Sequence, residues 1–414
     1  MSAPRLVLTD ANLVDGEHPA KPGAHVVIDG QQISVVGTGP FAARPDDRVV
    51  SLAGRTVMPG MVSCHFHSTY HELGAQPAPY GLEAPPAYQA LRAAKNLEIA
   101  LQCGFTSAVS AGAPCDIDAS MQRAINDGLI PGPRFVPGSR ELSTTGHGND
   151  TNPWYWEMAA WGAARVCDGA EAFRQAVRDE VKRGAEMIKL FVTGGHGVLT
   201  PKDRLEMTRA ELSAAVDSAH ERGVQIRGHI VNKPAILMAV EAGVDVIDHG
   251  DDMDDECIAA LAETGTFLAP SVLFPKTFLE HMGSGLGFTD RMRADLDHTL
   301  GVLPQANAAG VKLVVGDDYG AVGFAHGRYA EELEVYVRDA GVPALEVLRW
   351  ATKHGAELMG RAEELGTITE GKLADVLVVD GDPLDDIAVL QDRDHLLAIV
   401  KDGVLEKDEL ARLG

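Results

Sequence analysis

The chain has 414 residues, with 36 Lys plus Arg against 60 Asp plus Glu and a net charge of −24. That balance argues against nucleic acid or an anionic membrane as partner, because both repel a strongly acidic surface. The length can bury a large core and suggests about two or three domains, though an α/β barrel can take about 250 residues as one. The five cysteines, Cys64, Cys103, Cys115, Cys167 and Cys257, are odd in number and contain no Cys-x-x-Cys pair. A reducing, cytoplasmic setting without a disulfide framework is therefore expected. The opening MSAPRLVLTDANLVDG lacks a basic segment followed by a long apolar one, so neither a signal peptide nor a membrane span is expected.

In chain order, residues Arg5 to Thr56 read as short strands. LVLTDANLV, HVVIDGQQISVVG and RVVSLAGRTV alternate or run apolar between glycine turns, with Asp29-Gly30 as a hairpin signal. The C-terminal GTITEGKLADVLVVDGDPL and LLAIVKDGVL read the same way. Residues 1–56 and 365–414 are expected to form one small β-sandwich domain from both termini. Between them, residues 57–364 repeat one theme: a helix ends at glycine, then a short apolar β-rich run follows. Val57–His67, FTSAVSAG, PRFVPGSREL, GAEMIKLFVTGG, GVQIRGHIV, GVDVIDHG, GTFLAPSVL and GVKLVVGDD make about eight such units. Glycines 184, 223, 243, 265 and 310 stand where helix-terminating residues belong. Strands alternating with helices predict a parallel sheet, and eight units predict a closed (β/α)8 TIM-type barrel.

Chemistry in such a barrel sits at the C-terminal strand ends. The first strand ends in His65 and His67, which share a face because side chains alternate with period two; Cys64 and Phe66 point the other way. The fourth strand carries Lys189, the fifth ends in His229, the sixth in His249 and the eighth in Asp317-Asp318. Neutral imidazoles and carboxylates are ligands for divalent cations. Lys189 lies inside an apolar run, where an unpaired ammonium is costly. The reading favoured is that its neutral amine takes up CO2, giving an anionic carbamate able to bridge two cations; the alternative is a salt-bridged lysine.

The pieces VMPGMVSCHFH, STTGHGND, AEMIKLFVTGG, IRGHI, DVIDHG, VVGDDYG, ATKHGAELMG and GTITEGKLADVLVVDGDPL resemble the metal-dependent amidohydrolases over essentially the whole length. The likeness is to the branch of imidazolonepropionase-like enzymes and prolidase-like carboxypeptidases. It implies that His65 and His67 hold a more buried metal, that Lys189 is the carbamylated bridge, and that His229 and His249 hold a second metal. Asp318 is then a ligand and the catalytic base; Asp317 competes for that role, and strand parity allows only one of the two to face the metals. Two divalent ions are implied, zinc first, with Mn or Co fitting the same donors. A homo-oligomer is also expected. Departures are Ser63 and Cys64 before the histidine pair, Asp248 before His249, Asp317 itself, and His196-Gly197, which reads as an insertion.

The implied reaction is hydrolysis of an amide-type C–N bond in a small molecule: an aryl amide, carbamate or urea, or an N-acyl amino acid. A prolidase-like dipeptidase is the alternative. Ring deamination is disfavoured because Asn232 stands where deaminase branches carry Glu and because Lys189 is present; a non-catalytic scaffold would need no base. His147 is expected to hydrogen-bond the scissile carbonyl. Trp154 and Trp156, with Tyr155 and Trp161 nearby, are expected to wall an apolar pocket or to pack as an amphipathic helix. Tyr319 and His326 are expected to meet the substrate, and Arg227 to pair with a carboxylate inside the barrel. No loop shows an arginine clamp for a substrate carboxylate, which favours a neutral, apolar or aromatic substrate.

Overall fold

Apolar alternation at the N-terminus produces β1 (Leu6–Leu13), β2 (Lys21–Asp29), β3 (Gln32–Thr38), β4 (Arg48–Ser51) and β5 (Thr56–Pro59). The computed structural model describes residues 4–73, 78, 80–148, 150, 152, 155, 162–198, 200–282 and 287–413. The central strands are β6 (Met61–Phe66), β7 (Phe105–Ser110), β8 (Arg134–Val136), β9 (Gly138–Ser143), β10 (Ala164–Val166), β11 (Met187–Phe191), β12 (Gln225–Ile230), β13 (Val246–His249), β14 (Phe267–Ala269) and β15 (Lys312–Leu313). The C-terminal strands are β16 (Val376–Val379), β17 (Leu396–Lys401) and β18 (Val404–Asp408).

The strands of both termini share one eight-stranded sheet, ordered β18-β17-β16-β5-β1-β2-β3, with β4 also on β1. The join is antiparallel pairing of β5 with β16, Val57 opposite Val378. β1 forks the sheet: Leu6–Thr9 pair with β4 and Asn12–Leu13 with β5. Leu8, Leu13, Val26, Val57, Val378 and Ala398 lie in the apolar core of this domain. The β2–β3 turn is displaced by one residue from the Asp29-Gly30 expectation. Asp29 still pairs with Gln32, and Gly30, at φ 59, occupies the left-handed turn position that favours glycine. The chain divides into two compact units, one of residues 1–63, 99–107 and 329–414, the other of residues 64–98 and 108–328.

The middle of the chain has the expected (β/α) alternation. β10-β9-β11-β12-β13-β14-β15 form one sheet, parallel at every pairing, and β6-β7-β8 form another. Among the described residues the ladder does not run as one closed ring. Single backbone bonds span the seams instead: Cys64 N–H donates to Val315 O at 2.7 Å and Ala113 N–H to Ser139 O at 3.1 Å. The expected third strand is split into β8 and β9 at Pro137, which cannot donate to a ladder. Gly243 and Gly265 end their helices in the left-handed conformation, as glycine at that position should. No disulfide joins any of the five cysteines, and among the described residues no helix is long and apolar enough to cross a membrane.

Candidate metal centre and substrate cavity

His65 and His67 lie at the end of β6, fully buried. Period two brings both imidazoles to one side, where His65 Nε2 lies 3.1 Å and His67 Nε2 3.3 Å from Asp318 Oδ1. Their other nitrogens are held from behind. His67 Nδ1 donates to Gly112 O at 3.0 Å. Ser271 Oγ donates to Gly316 O at 3.0 Å, which leaves His65 Nδ1 to donate to that hydroxyl at 3.1 Å. Both rings therefore present Nε2, the arrangement by which a second hydrogen bond orients a metal-binding histidine. Tyr70 stacks flat on His67, with centroids 3.9 Å apart and planes 1° from parallel. Gly316, at φ +139, is where the eighth strand end passes β6: a Cβ there would sit 2.2 Å from His65 N.

The two aspartates divide as parity requires. Asp317 accepts from the backbone N–H groups of Leu273 at 2.8 Å and Phe274 at 2.9 Å, so it ties down the loop after β14. Burial and the adjacent Asp318 charge push its carboxyl up. Burial acts the same way on Asp318, but the neighbouring His65 and His67 hold that carboxyl well below the usual range.

Lys189, on β11, is buried, and its Nζ lies 2.6 Å from Asp248 Oδ2. Arg227, also buried, clamps the same carboxylate through Nη2 to Oδ1 and through Nε to Oδ2 at 3.0 Å. Arg227 Nη1 donates further to Cys64 O at 2.6 Å. Burial opposes a charge on Asp248, yet Arg227 and Lys189 together hold its carboxyl far below the usual range. Arg227 thus pairs inside the barrel as expected.

His229 and His249 are buried at the ends of β12 and β13, and burial pushes both imidazoles well below their ordinary value. Their ring centroids are 4.5 Å apart, and His249 lies 5.4 Å from His65. His229 Nε2 donates to Gly195 O at 3.1 Å. His196, read from the sequence as part of an insertion, belongs to this cluster: its ring stacks on His249 at 3.8 Å. Two donor groups of metal-binding size result, His65–His67–Asp318 and His196–His249–Asp318, each with its ligand atoms within 4.8 Å of one another. His196 Nε2 and His249 Nδ1 are buried without a hydrogen-bond partner, while His65 Nε2 has only its ion-pair contact with Asp318. Buried imidazole nitrogens are normally satisfied, so two orphans and a carboxylate in one cluster fit cation binding.

A cavity of about 350 Å³ opens onto this cluster. Tyr70, Tyr80, Phe191, Phe274 and Phe278 give its lining an aromatic part. No arginine lines it among the described residues; Lys189 is its one lysine and is paired. Glu141, from β9, also faces the cavity and accepts from Tyr70 Oη at 2.9 Å. Glu141 was not among the residues expected from the sequence; a carboxylate inside the expected strand PRFVPGSREL was the available signal. A larger cavity of about 480 Å³ lies beside it, sharing only His196, Gly197 and Val198 with the first and containing neither His65, His67 nor Asp318.

Other expected site residues lie off the cavity. His147 Nδ1 is 2.9 Å from Thr200 Oγ1, its ring meets the edge of Phe191, and burial pushes it down to about 4. Tyr319 is buried and stacked on Phe324. His326 Nε2 donates to Tyr70 O at 3.1 Å, so it steadies the residue that stacks on His67. Trp154, Trp156 and Trp161 lie outside the described residues.

Residues 56–405 match the model of the amidohydrolase family. The chain is 30% identical to ochratoxinase of Aspergillus niger over 423 aligned positions, covering 95% of this chain and 85% of that one. It is 25% identical to imidazolonepropionase of Rubrobacter xylanophilus, covering 92% and 90%. Among solved structures it superposes on a prolidase complexed with N-methylphosphonate-L-proline with a TM-score of 0.87 at 30% identity, covering 98% of this chain and 100% of that one. The crystal structure of A. niger ochratoxinase gives a TM-score of 0.87 at 26% identity, covering 99% and 96%. The chain therefore belongs to the amidohydrolase family and is a hydrolase of C–N bonds.

Proposed function

We propose that this enzyme hydrolyses the amide-type C–N bond of a neutral, apolar or aromatic small molecule: an aryl amide, carbamate or urea. The observation carrying this reading is the cavity itself, whose lining holds Asp318, four imidazoles and five aromatic rings. A substrate carboxylate would need a cationic clamp, and among the described residues the cavity offers no arginine and only Lys189, whose Nζ faces Asp248. Similarity to ochratoxinase supports hydrolytic C–N cleavage.

His65, His67, His229, His249 and Asp318 would hold two divalent ions, zinc first, and Lys189, once carbamylated, would add an anionic ligand. When bound, such ions polarise a carbonyl and lower the pKa of water. Asp318 takes the proton of the attacking water and passes it to the leaving nitrogen. Tyr70, stacked on His67 and held by Glu141, excludes water from one side of the site. Phe274 and Phe278 bind the apolar part of the substrate by burying it.

A second reading, a prolidase-like dipeptidase, is favoured by the superposition on the prolidase complex. A mass-spectrometric hydrolysis panel separates the two, with protein loaded with Zn²⁺ or Mn²⁺ in bicarbonate. Turnover of aryl amides, carbamates or ureas is expected. Turnover confined to dipeptides would give the prolidase-like reading the site.

A further inference from the structure

The turn after β11 runs Gly195, His196, Gly197 at φ +86, +46 and +94. Glycines adopt that conformation freely; a residue with a β-carbon does so at a cost of about 1–2 kcal/mol. His249, at the end of β13, is also left-handed, at φ +76. Two strained histidines therefore stack on each other, rings 20° from parallel. Strain of this kind persists where the surroundings over-determine it, and it concentrates at functional sites.

His196 is held from behind. Its Nδ1 lies 3.1 and 3.2 Å from the two oxygens of Asp251, itself buried. Its side chain is 5% exposed, and Nε2 has no partner. A histidine kept only to pair with Asp251 gains nothing from leaving the second nitrogen buried and unsatisfied, which costs about 1–3 kcal/mol. His229 Nε2, donating to Gly195 O, anchors the turn that presents it.

We propose that His196 is a ligand of a divalent cation, in one donor set with His249 and Asp318, and that Asp251 orients it. Carboxylate, imidazole and cation in series is the arrangement that fixes the tautomer and orientation of a metal-binding histidine. The inference rests on the metal-dependent reading above and adds a donor, from the turn after β11, that the family resemblance did not supply.

The test uses the full chain, stripped with a chelator and reloaded with Zn²⁺, with bound ions counted by elemental mass spectrometry and affinities measured by calorimetry. His196→Ala should lose one bound ion or need at least about tenfold more free Zn²⁺ to fill it, and Asp251→Asn should weaken the same step about tenfold. Loading with Co²⁺ gives a second readout: the visible d–d spectrum should change in His196→Ala. Thermal melting of the metal-free proteins checks folding, and if His196→Ala does not fold, Asp251→Asn carries the test because it keeps the imidazole. Wild-type Zn²⁺ stoichiometry, affinity and Co²⁺ spectrum in the variants would overturn the proposal and leave the hydrolase reading standing. A wild-type chain that binds no divalent ion would overturn both.

Discussion

Lys189 Nζ lies 2.6 Å from Asp248 Oδ2, and the carboxylate that receives it is already clamped twice by Arg227. Asp248 thus keeps a partner if Lys189 gives up its charge. Carbamylation of Lys189 is then compatible with the buried charges, provided cations balance the new anion. In protein loaded with Zn²⁺ and ¹³C-bicarbonate, NMR should show a carbamate carbon that is missing from Lys189→Met. Equal signals in both proteins would rule out this lysine as the carrier.

Arg227→Met should destabilise the fold by about 3–5 kcal/mol, because removing one partner strands a buried charge. Asp248 would keep only Lys189, and the carbonyl of Cys64 would lose a buried donor. Urea unfolding of the metal-free variant and wild type measures the difference. A loss below about 1 kcal/mol would mean that Lys189 alone suffices for Asp248.

Asp318→Asn removes the carboxylate that His65 and His67 share while keeping its shape. The rate constant kcat should fall about 10²–10⁴-fold, the usual worth of a positioned proton acceptor. Turnover of the best substrate from the panel, with bound metal counted in parallel, checks this. Unchanged turnover would remove Asp318 from the role of base.

Acid should weaken the metal-free fold through His147. Burial lowers its pKa from 6.5 to about 4, so the unfolded chain binds the proton first as pH falls. The contribution is complete above about pH 6.5 and is lost progressively toward pH 4. Between pH 7.5 and pH 5 it amounts to about 2 kcal/mol. His147→Gln should reduce the stability loss over that interval by about this much in urea titrations, and an identical loss in both proteins would show that other groups account for it.

The alternation of side chains along a strand is a local property, so the sequence alone was enough to put His65 and His67 on one face and to separate Asp317 from Asp318. Lys189, His229 and His249 were legible for the same reason: each sits on or at the end of an apolar run after a helix-ending glycine. The paired state of Arg227 followed from its parity with His229. What the sequence left open was decided between segments distant in the chain. The amides of Leu273 and Phe274 occupy Asp317, 44 and 43 residues away. His196 enters the site because its turn folds against His249 and Asp251, while Tyr319 and His326 turn from the cavity to support Phe324 and Tyr70. Secondary-structure period sets the direction of a side chain on its own strand, but which loop lies over a strand end depends on packing and hydrogen bonds that exist only once the strands are assembled.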